Sequence, residues 1–161
     1  MTKPSHPALF LDLDDTVRRT TAGGRPFPKH PSEQELMEGR YDKIWSYKNQ
    51  GYKILGVSNQ GGVGMGVITK KQVEDCLHDL NKKLDGAFDN IVYAPAHPEK
   101  NDPFRKPNPG MIHALKEKHS VDLKKSIMVG DRESDRLAAE RAGVKFIWAK
   151  DFFHGDSNKT S

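Results

Sequence analysis

The chain has 161 residues, a formal net charge of +4, 35% hydrophobic residues and 30% charged residues, which suits one globular domain with a substantial core. No apolar run approaches the roughly twenty residues that cross a bilayer, and residues 1–7 lack the apolar core of a signal peptide. Cys76 is the only cysteine, so an intrachain disulfide is excluded and we expect a cytoplasmic protein. The mild, scattered positive charge does not by itself indicate a nucleic-acid partner.

The first third of the chain predicts two strands and a helix. The apolar run Ala8–Leu11 predicts a short buried strand. Residues 17–31, rich in Thr, Gly and Pro, predict a loop or a short hairpin flap. One apolar face predicts a helix over Arg40–Asn49 with its C-terminal cap at Gly51. A second strand is predicted over Lys53–Ser58.

The middle of the chain predicts helix, strand and helix. Thr69 begins a capping-box pattern, and the predicted helix ends at Gly86. The next strand is Asn90–Ala94, and Asn108 is predicted to cap a helix that runs to about His119. The apolar stripe of the first helix consists of Val73, Cys76, Leu77, Leu80 and Leu84.

The last part predicts a strand over Ser126–Val129, a helix over Asp135–Ala142 and a strand over Lys145–Trp148, before a frayed polar tail at 154–161. Because strands alternate with helices, we expect an α/β fold with a parallel sheet covered on both faces.

Two carboxylates at the end of the first strand are the most informative feature. Asp12 and Asp14 lie two positions apart, directly after Ala8–Leu11, at the edge where open α/β sheets bind ligands. One carboxylate in such a pair can attack phosphorus while the other donates and accepts the proton, with a divalent metal offsetting the negative charge.

Three later segments supply the other groups that such a site needs. Ser58–Gly62 is a polar, glycine-rich turn at the end of the second strand. Arg105 and Lys106 place two cations just before a helix, and Gly130–Asp135 places a second acid pair, Asp131 and Asp135, after the strand that begins at Ser126. Together they are an acid pair, a small hydroxyl, a lysine and a second acid pair, in that order.

This ordered set resembles the haloacid dehalogenase-like (HAD) hydrolases from about Ala8 to Phe153. The resemblance implies a three-layer, Rossmann-like α/β core with a mainly parallel central sheet and a flap after the first strand. The stretches between Asp14 and Ser58 and between Ser58 and Lys106 leave no room for a large cap domain. We therefore expect a single phosphatase domain over residues 1–161, with its core at about 8–153.

The resemblance also implies a role for each catalytic residue. Asp12 would be the nucleophile that forms an aspartyl-phosphate, and Asp14 would protonate the leaving alcohol and then activate water. Ser58 and Asn59 would donate hydrogen bonds to the phosphoryl group, and Lys106 would neutralise its oxygens.

The implied cofactor is Mg²⁺, held by Asp12, the backbone carbonyl of Asp14 and Asp131. Asp135 is expected to act through a water or through another ligand. Beyond the phosphoryl group, Arg105 and Arg132 are candidates for contacts with the substrate.

Longer strings narrow the resemblance to one capless branch of the superfamily. The glycine loop over residues 58–66 and the stretch over residues 105–111 are similar to histidinol-phosphate phosphatases, heptose bisphosphate phosphatases and polynucleotide 3′-phosphatases. Many of the small-molecule members carry a four-ligand zinc site. Its corresponding positions here are Ala94, Ala96, Asp102 and Phe104, so we expect no zinc.

The sequence leaves two classes of phosphorylated substrate open. The flap sequence, the lack of zinc ligands and the basic balance favour a 3′-phosphorylated polynucleotide end, with a small sugar or polyol (bis)phosphate as the alternative. A non-catalytic phosphate-binding module is a lesser alternative, and phosphotransfer to an acceptor other than water uses the same residues. We expect no membrane partner and a monomer.

Overall fold

The computed structural model describes the backbone of residues 5–158 and the side chains of residues 5–154. Its helices are α1 (Arg40–Asn49), α2 (Lys70–Lys83), α3 (Gly110–His119), α4 (Glu133–Ala142) and α5 (Ala149–Asn158). Its strands are β1 (Ala8–Leu11), β2 (Arg18–Thr20), β3 (Gln34–Leu36), β4 (Lys53–Asn59), β5 (Asn90–Ala94), β6 (Ile127–Gly130) and β7 (Lys145–Trp148).

Five strands form one parallel sheet in the order β5-β4-β1-β6-β7. The chain builds outward from β1 to β4 and β5, then returns to the other side of β1 to add β6 and β7. Strand order therefore reverses beside β1, and a crevice forms there, outside the carboxyl ends of β1, β4 and β6. The predicted parallel α/β sheet is confirmed.

Two apolar cores lie on opposite faces of this sheet. Alternation along β1 sends Leu9 and Leu11 into a core with helices α1, α2 and α5, and it sends Ala8 and Phe10 into a core with α3 and α4. Every residue of β1 is fully buried. The three predicted layers are therefore present, with β1 at the centre of the middle layer.

A small antiparallel hairpin, β2–β3, follows β1 and forms the flap. Its register pairs Arg18 with Leu36 and Arg19 with Glu35. The predicted flap is confirmed, although its second strand lies at Gln34–Leu36, beyond the predicted limit at residue 31. In the described part of the chain, the β1–β4 connection adds only this hairpin, a short 3-10 helix at Pro31–Glu33 and α1.

Local signals fixed some helix ends and misplaced others. Thr69 forms the predicted capping box with Gln72. Asn108, however, does not cap α3: its amide donates to Asn101 and to the Asp102 carbonyl, and the cap position is Pro109. The next helix, α4, begins at Glu133, before the predicted Asp135.

The frayed tail predicted from residue 154 is wrong as far as Asn158, because α5 continues to that residue. Residues 159–161 lie outside the described residues. No helix within residues 5–158 combines the length and the apolar character that a membrane span requires.

Candidate active site

The predicted acidic and basic groups meet in the crevice beside β1. Asp12 follows the end of β1, Ser58 lies near the end of β4, and Asp131 follows the end of β6. Lys106 lies in the loop between β5 and α3. Its side chain reaches the same place, where it contacts Asp12 and the Val57 carbonyl. Residues up to 119 positions apart in the sequence are thus brought together because parallel strands end at one edge.

Lys106 is the centre of the cluster. Its buried ammonium group donates to Asp12 Oδ1 at 2.8 Å, to Asp135 Oδ1 at 2.6 Å and to the Val57 carbonyl at 2.8 Å. A lysine has three N–H donors, so every donor is used and the position of the ammonium group is fixed. It lies directly beside the carboxylate that the sequence predicts to be the nucleophile.

Asp135 supports this lysine and shapes the loop after β6. Its Oδ2 accepts hydrogen bonds from the backbone N–H groups of Asp131 (3.2 Å) and Arg132 (3.1 Å). A Cβ atom at Gly130 would lie 2.5 Å from the Cβ and Cγ atoms of Asp135, so only glycine leaves room for this arrangement. With both oxygens bonded, Asp135 orients Lys106 and the loop. Its predicted indirect role at the metal stays a prediction.

The charges of the cluster shift the pKa values of its members. Burial would raise the pKa of Asp12, but the charge and hydrogen bond of Lys106 hold it below its usual value. Burial would lower the pKa of Lys106, but Asp12 and Asp135 raise it. Burial and the neighbouring Asp12 raise the pKa of Asp131 to about 8. The nucleophile candidate is therefore ionised at neutral pH, whereas the ionised form of Asp131 is disfavoured there.

These carboxylates suit a divalent cation. Oxygens of Asp12, Asp131 and Asp135 lie within 4.8 Å of one another. Burial is the first cause of the raised pKa of Asp131, and the hydrogen bond and charge of Asp12 add to it, so a cation beside these carboxylates would favour the ionised form of Asp131. Hard oxygen donors around such a point fit Mg²⁺. The contribution predicted for the Asp14 backbone carbonyl stays a prediction.

Asp14 is held by residues that the sequence did not single out. Arg18 donates to both of its oxygens, from Nε to Oδ1 at 3.0 Å and from one terminal nitrogen to Oδ2 at 3.3 Å. Gln60 donates to Asp14 Oδ2 at 3.0 Å and to Ser58 Oγ at 2.7 Å. Nothing in the sequence indicates this role for Arg18, because a strand of three residues is too short to show an alternation of polar and apolar residues. Gln60 lies in the turn Ser58–Gly62, whose polar character is visible in the sequence.

Ser58 and Asn59 lie next to the cluster and differ in how many of their hydrogen-bonding groups are already used. Ser58 is fully buried, and its hydroxyl accepts from Gln60, which leaves its own O–H free to donate. Asn59 pairs with the backbone of Lys106, accepting from its N–H at 2.9 Å and donating to its carbonyl at 3.0 Å. Asn59 therefore fixes the lysine loop, and one amide hydrogen remains for the cleft that it lines.

A cleft of about 260 Å³ opens over Asp12, Asp14 and Lys106. Arg105 and Arg132 also line it, and within the described residues neither side chain forms a salt bridge. One terminal nitrogen of Arg105 is buried without a hydrogen-bond partner. Burial, followed by the charge of Arg132, lowers the pKa of Arg105. Two cations thus converge on the cleft beside the catalytic cluster.

Apolar side chains line the same cleft. They are Pro26, Phe27, Met65 and Pro98, from the flap, the glycine loop and the loop after β5. Pro98 and a terminal nitrogen of Arg105 both lie close to Gly61, so basic and apolar groups lie side by side in the cleft.

The chain is similar to a known protein family, to curated proteins and to solved structures. Residues 8–158 match the family model described as polynucleotide kinase 3 phosphatase. A D-glycero-beta-D-manno-heptose-1,7-bisphosphate 7-phosphatase of Helicobacter pylori is 33% identical over 145 residues, which are 88% of this chain and 81% of that protein. A D-glycero-alpha-D-manno-heptose-1,7-bisphosphate 7-phosphatase of Burkholderia mallei is 34% identical over 151 residues, 85% of this chain and 76% of that protein.

Among solved structures, the D,D-heptose 1,7-bisphosphate phosphatase of B. bronchiseptica, complexed with magnesium and phosphate, matches with a TM-score of 0.77 and 25% identity. The match covers 87% of this chain and 78% of that one. Sequence motifs, fold and family model agree: this chain is a HAD-superfamily phosphatase, of the branch that contains the heptose bisphosphate phosphatases and the polynucleotide kinase 3 phosphatase family.

Proposed function

We propose that the chain hydrolyses one phosphate of a small sugar bisphosphate. The observation that carries this proposal is the pair of arginines in the cleft. Lys106 would act on a phosphoryl group over Asp12 through its charge and Ser58 through its hydroxyl, so Arg105 and Arg132 are available to a second anion on the same substrate. The buried, unpartnered nitrogen of Arg105 makes such an anion favourable, because an unpaired buried donor is costly.

The curated relatives support a sugar bisphosphate, because they are named as heptose bisphosphate phosphatases. The sequence favoured a polynucleotide 3′ end, and the match to the polynucleotide kinase 3 phosphatase model keeps that activity as a second candidate. A nucleic-acid end could also supply a second anion, but the cleft is too small to contact more than the end of a polynucleotide chain. The comparisons therefore favour the alternative over the first expectation.

In the proposed reaction, a carboxylate oxygen of Asp12 attacks phosphorus and the bond to the leaving oxygen breaks. Asp14 gives its proton to that oxygen, so that a neutral alcohol departs. Water then attacks phosphorus, Asp14 takes the proton, and the bond between Asp12 and phosphorus breaks to release phosphate. Lys106 and Ser58 stabilise the negative oxygens in both steps.

Asp12 and Asp131 would hold Mg²⁺, which when bound lowers the repulsion between the carboxylate and the phosphate dianion. Asp135 would keep Lys106 and the Asp131 loop in place. The monomeric state, the cytoplasmic location and the single-domain organisation of residues 1–161 stay predictions.

The substrate assignment is tested by phosphate release in Mg²⁺ from a heptose 1,7-bisphosphate, the matching heptose 7-phosphate and a 3′-phosphorylated oligonucleotide. We expect the bisphosphate to exceed the monophosphate in kcat/KM by about 10- to 100-fold, the value of a charged hydrogen bond to a second phosphate. Arg105→Met should remove this advantage. Arg136→Met is the matched control, since Arg136 is on the surface of α4 and pairs with Glu133.

A preference for the oligonucleotide, with activity that falls steeply as salt is added, would contradict the sugar bisphosphate and identify a polynucleotide end phosphatase. Equal use of the two heptose phosphates would remove the proposed role of Arg105.

A further inference from the structure

A buried fork of hydrogen bonds holds the side chain of Asp14. Arg18 contacts both carboxylate oxygens (3.0 and 3.3 Å), and its side chain is only 2% exposed. Two parallel N–H···O bonds from a planar guanidinium fix the orientation of a carboxylate plane, as well as its distance. Asp14 therefore has one defined orientation at the base of the cleft.

Arg18 is itself fixed from two other elements. Its remaining terminal nitrogen donates to Gln34 Oε1 at 3.1 Å. The amide nitrogen of Gln34, on β3, donates to the Cys76 carbonyl at 2.8 Å and to Asp79 Oδ2 at 2.9 Å. The orientation of Asp14 is thus set through the flap hairpin and anchored on helix α2.

Stability alone does not explain this arrangement. A buried ion pair gains little over apolar packing of similar volume, since both ions must lose their water. The same hairpin carries an ordinary exposed ion pair one residue away, between Arg19 and Glu35. The buried pair is placed where orientation matters most, on the carboxyl group that must reach the leaving oxygen.

We propose that Arg18 is a positioning residue that aims Asp14 at the leaving oxygen of the substrate. This inference rests on the proposed role of Asp14 as general acid. Proton transfer requires the carboxyl oxygen within hydrogen-bond reach of the leaving oxygen, and a small misplacement of a catalytic group is costly. The Arg18 fork supplies that placement before the substrate arrives.

Leaving-group dependence separates this role from a structural one. The value of kcat/KM reports the steps through release of the alcohol, so it includes the protonation by Asp14 and excludes the later attack by water. A sugar or polyol phosphate has a poor leaving group that needs the proton. p-Nitrophenyl phosphate has a good leaving group that departs without it.

The experiment compares Arg18→Met with the wild type on p-nitrophenyl phosphate and on the alkyl phosphate that the wild type hydrolyses fastest. We expect kcat/KM for the alkyl phosphate to fall about 100-fold, the lower range of general acid catalysis, and that for p-nitrophenyl phosphate to fall less than about threefold. The ratio of the two values does not depend on the folded fraction of the preparation. Arg19→Met, on the same strand, should leave both values unchanged.

Two further variants complete the test. Arg18→Lys keeps the charge without the fork, so the alkyl phosphate should remain at least about tenfold slower than in the wild type. Asp14→Asn is assayed beside it and should show the same selective loss, of at least equal size.

An equal loss on both substrates in Arg18→Met, or full recovery in Arg18→Lys, would overturn the positioning role. If Asp14→Asn shows the selective loss and Arg18→Met does not, only this inference fails. If Asp14→Asn itself shows no selective loss, the proposed role of Asp14 fails as well.

Discussion

Replacing Asp12 with Asn is expected to reduce turnover at least about 10⁴-fold, the scale seen when a catalytic nucleophile is removed. An amide cannot act as the attacking carboxylate, and no other acid of the cluster takes its place beside Lys106: Asp135 is bonded through both oxygens. Asn has nearly the same shape and can still accept from Lys106, so the fold should be retained. Phosphate release from a heptose bisphosphate in Mg²⁺ measures the loss, and circular dichroism confirms the fold.

Asp15→Asn is the matched control for this variant. Asp15 is exposed next to the site and has a left-handed backbone conformation, with φ of 64°, which Asn tolerates as well as Asp does. Activity of Asp15→Asn should stay within about twofold of the wild type. Near wild-type turnover in Asp12→Asn would remove Asp12 from the reaction.

Lys106→Met is expected to damage both stability and catalysis. The change leaves Asp12 and Asp135 buried without their shared cation, a loss of about 3–5 kcal/mol in the free energy of unfolding when one partner of a buried pair is removed. Turnover should fall about 10²- to 10³-fold in addition, since the ammonium group no longer offsets charge on the phosphoryl oxygens. Urea denaturation in EDTA measures the first effect, and kcat of the folded fraction measures the second.

The stability loss should depend on pH in a defined direction. Lys106 lowers the pKa of Asp12, so its contribution to stability is present above the unfolded pKa of Asp12 and is lost as pH falls. The difference between wild type and Lys106→Met should therefore persist down to about pH 4, near the unfolded pKa of an aspartate, and shrink as the pH falls below that value.

Two comparisons separate the structural and catalytic parts of this effect. Adding Asp135→Asn to Lys106→Met removes one unpaired charge, so it should recover part of the stability and none of the activity. Lys124→Met, at an exposed lysine, should change neither. Wild-type stability in Lys106→Met would mean that the lysine does not compensate the buried carboxylates.

The sequence was sufficient for the fold and for the centre of the site, for a physical reason. Buried parallel strands are continuous apolar runs, and the polar residues after them must meet at one edge. Asp12, Ser58 and Asp131 could therefore be placed together from position alone. Lys106 could be added only through the resemblance, because nothing in a loop lysine shows that it turns inward.

The surroundings of the site could not be read in the same way. The fork from Arg18 to Asp14 depends on the register of a three-residue hairpin, and Gln34 and Asp79 become its support only after that hairpin packs on α2. Asn59 was expected at the phosphoryl group, but its pairing with the Lys106 backbone depends on how a distant loop lies over β4. Such contacts are tertiary, and no local pattern encodes them.

Some predicted helix ends were wrong for a related reason. Asn is a residue type that often caps helices, yet the Asn108 side chain donates hydrogen bonds to Asn101 and Asp102, in the loop that carries Lys106. A tight approach there leaves no space for a side chain at Gly110, whose Cβ would lie 2.9 Å from the carbonyl carbon of Pro103. The loop conformation, which local sequence does not report, decided where α3 begins.

The most direct test of the account is the covalent state of Asp12 during turnover. The protein is quenched rapidly in acid while it hydrolyses a heptose bisphosphate in Mg²⁺, and the peptide that contains Asp12 is analysed by mass spectrometry. The account predicts a phosphoryl group on Asp12 that disappears when the substrate is exhausted and never forms in Asp12→Asn. Sustained turnover with no phosphorylated peptide at any quench time, or with the phosphoryl group on another residue, would contradict it.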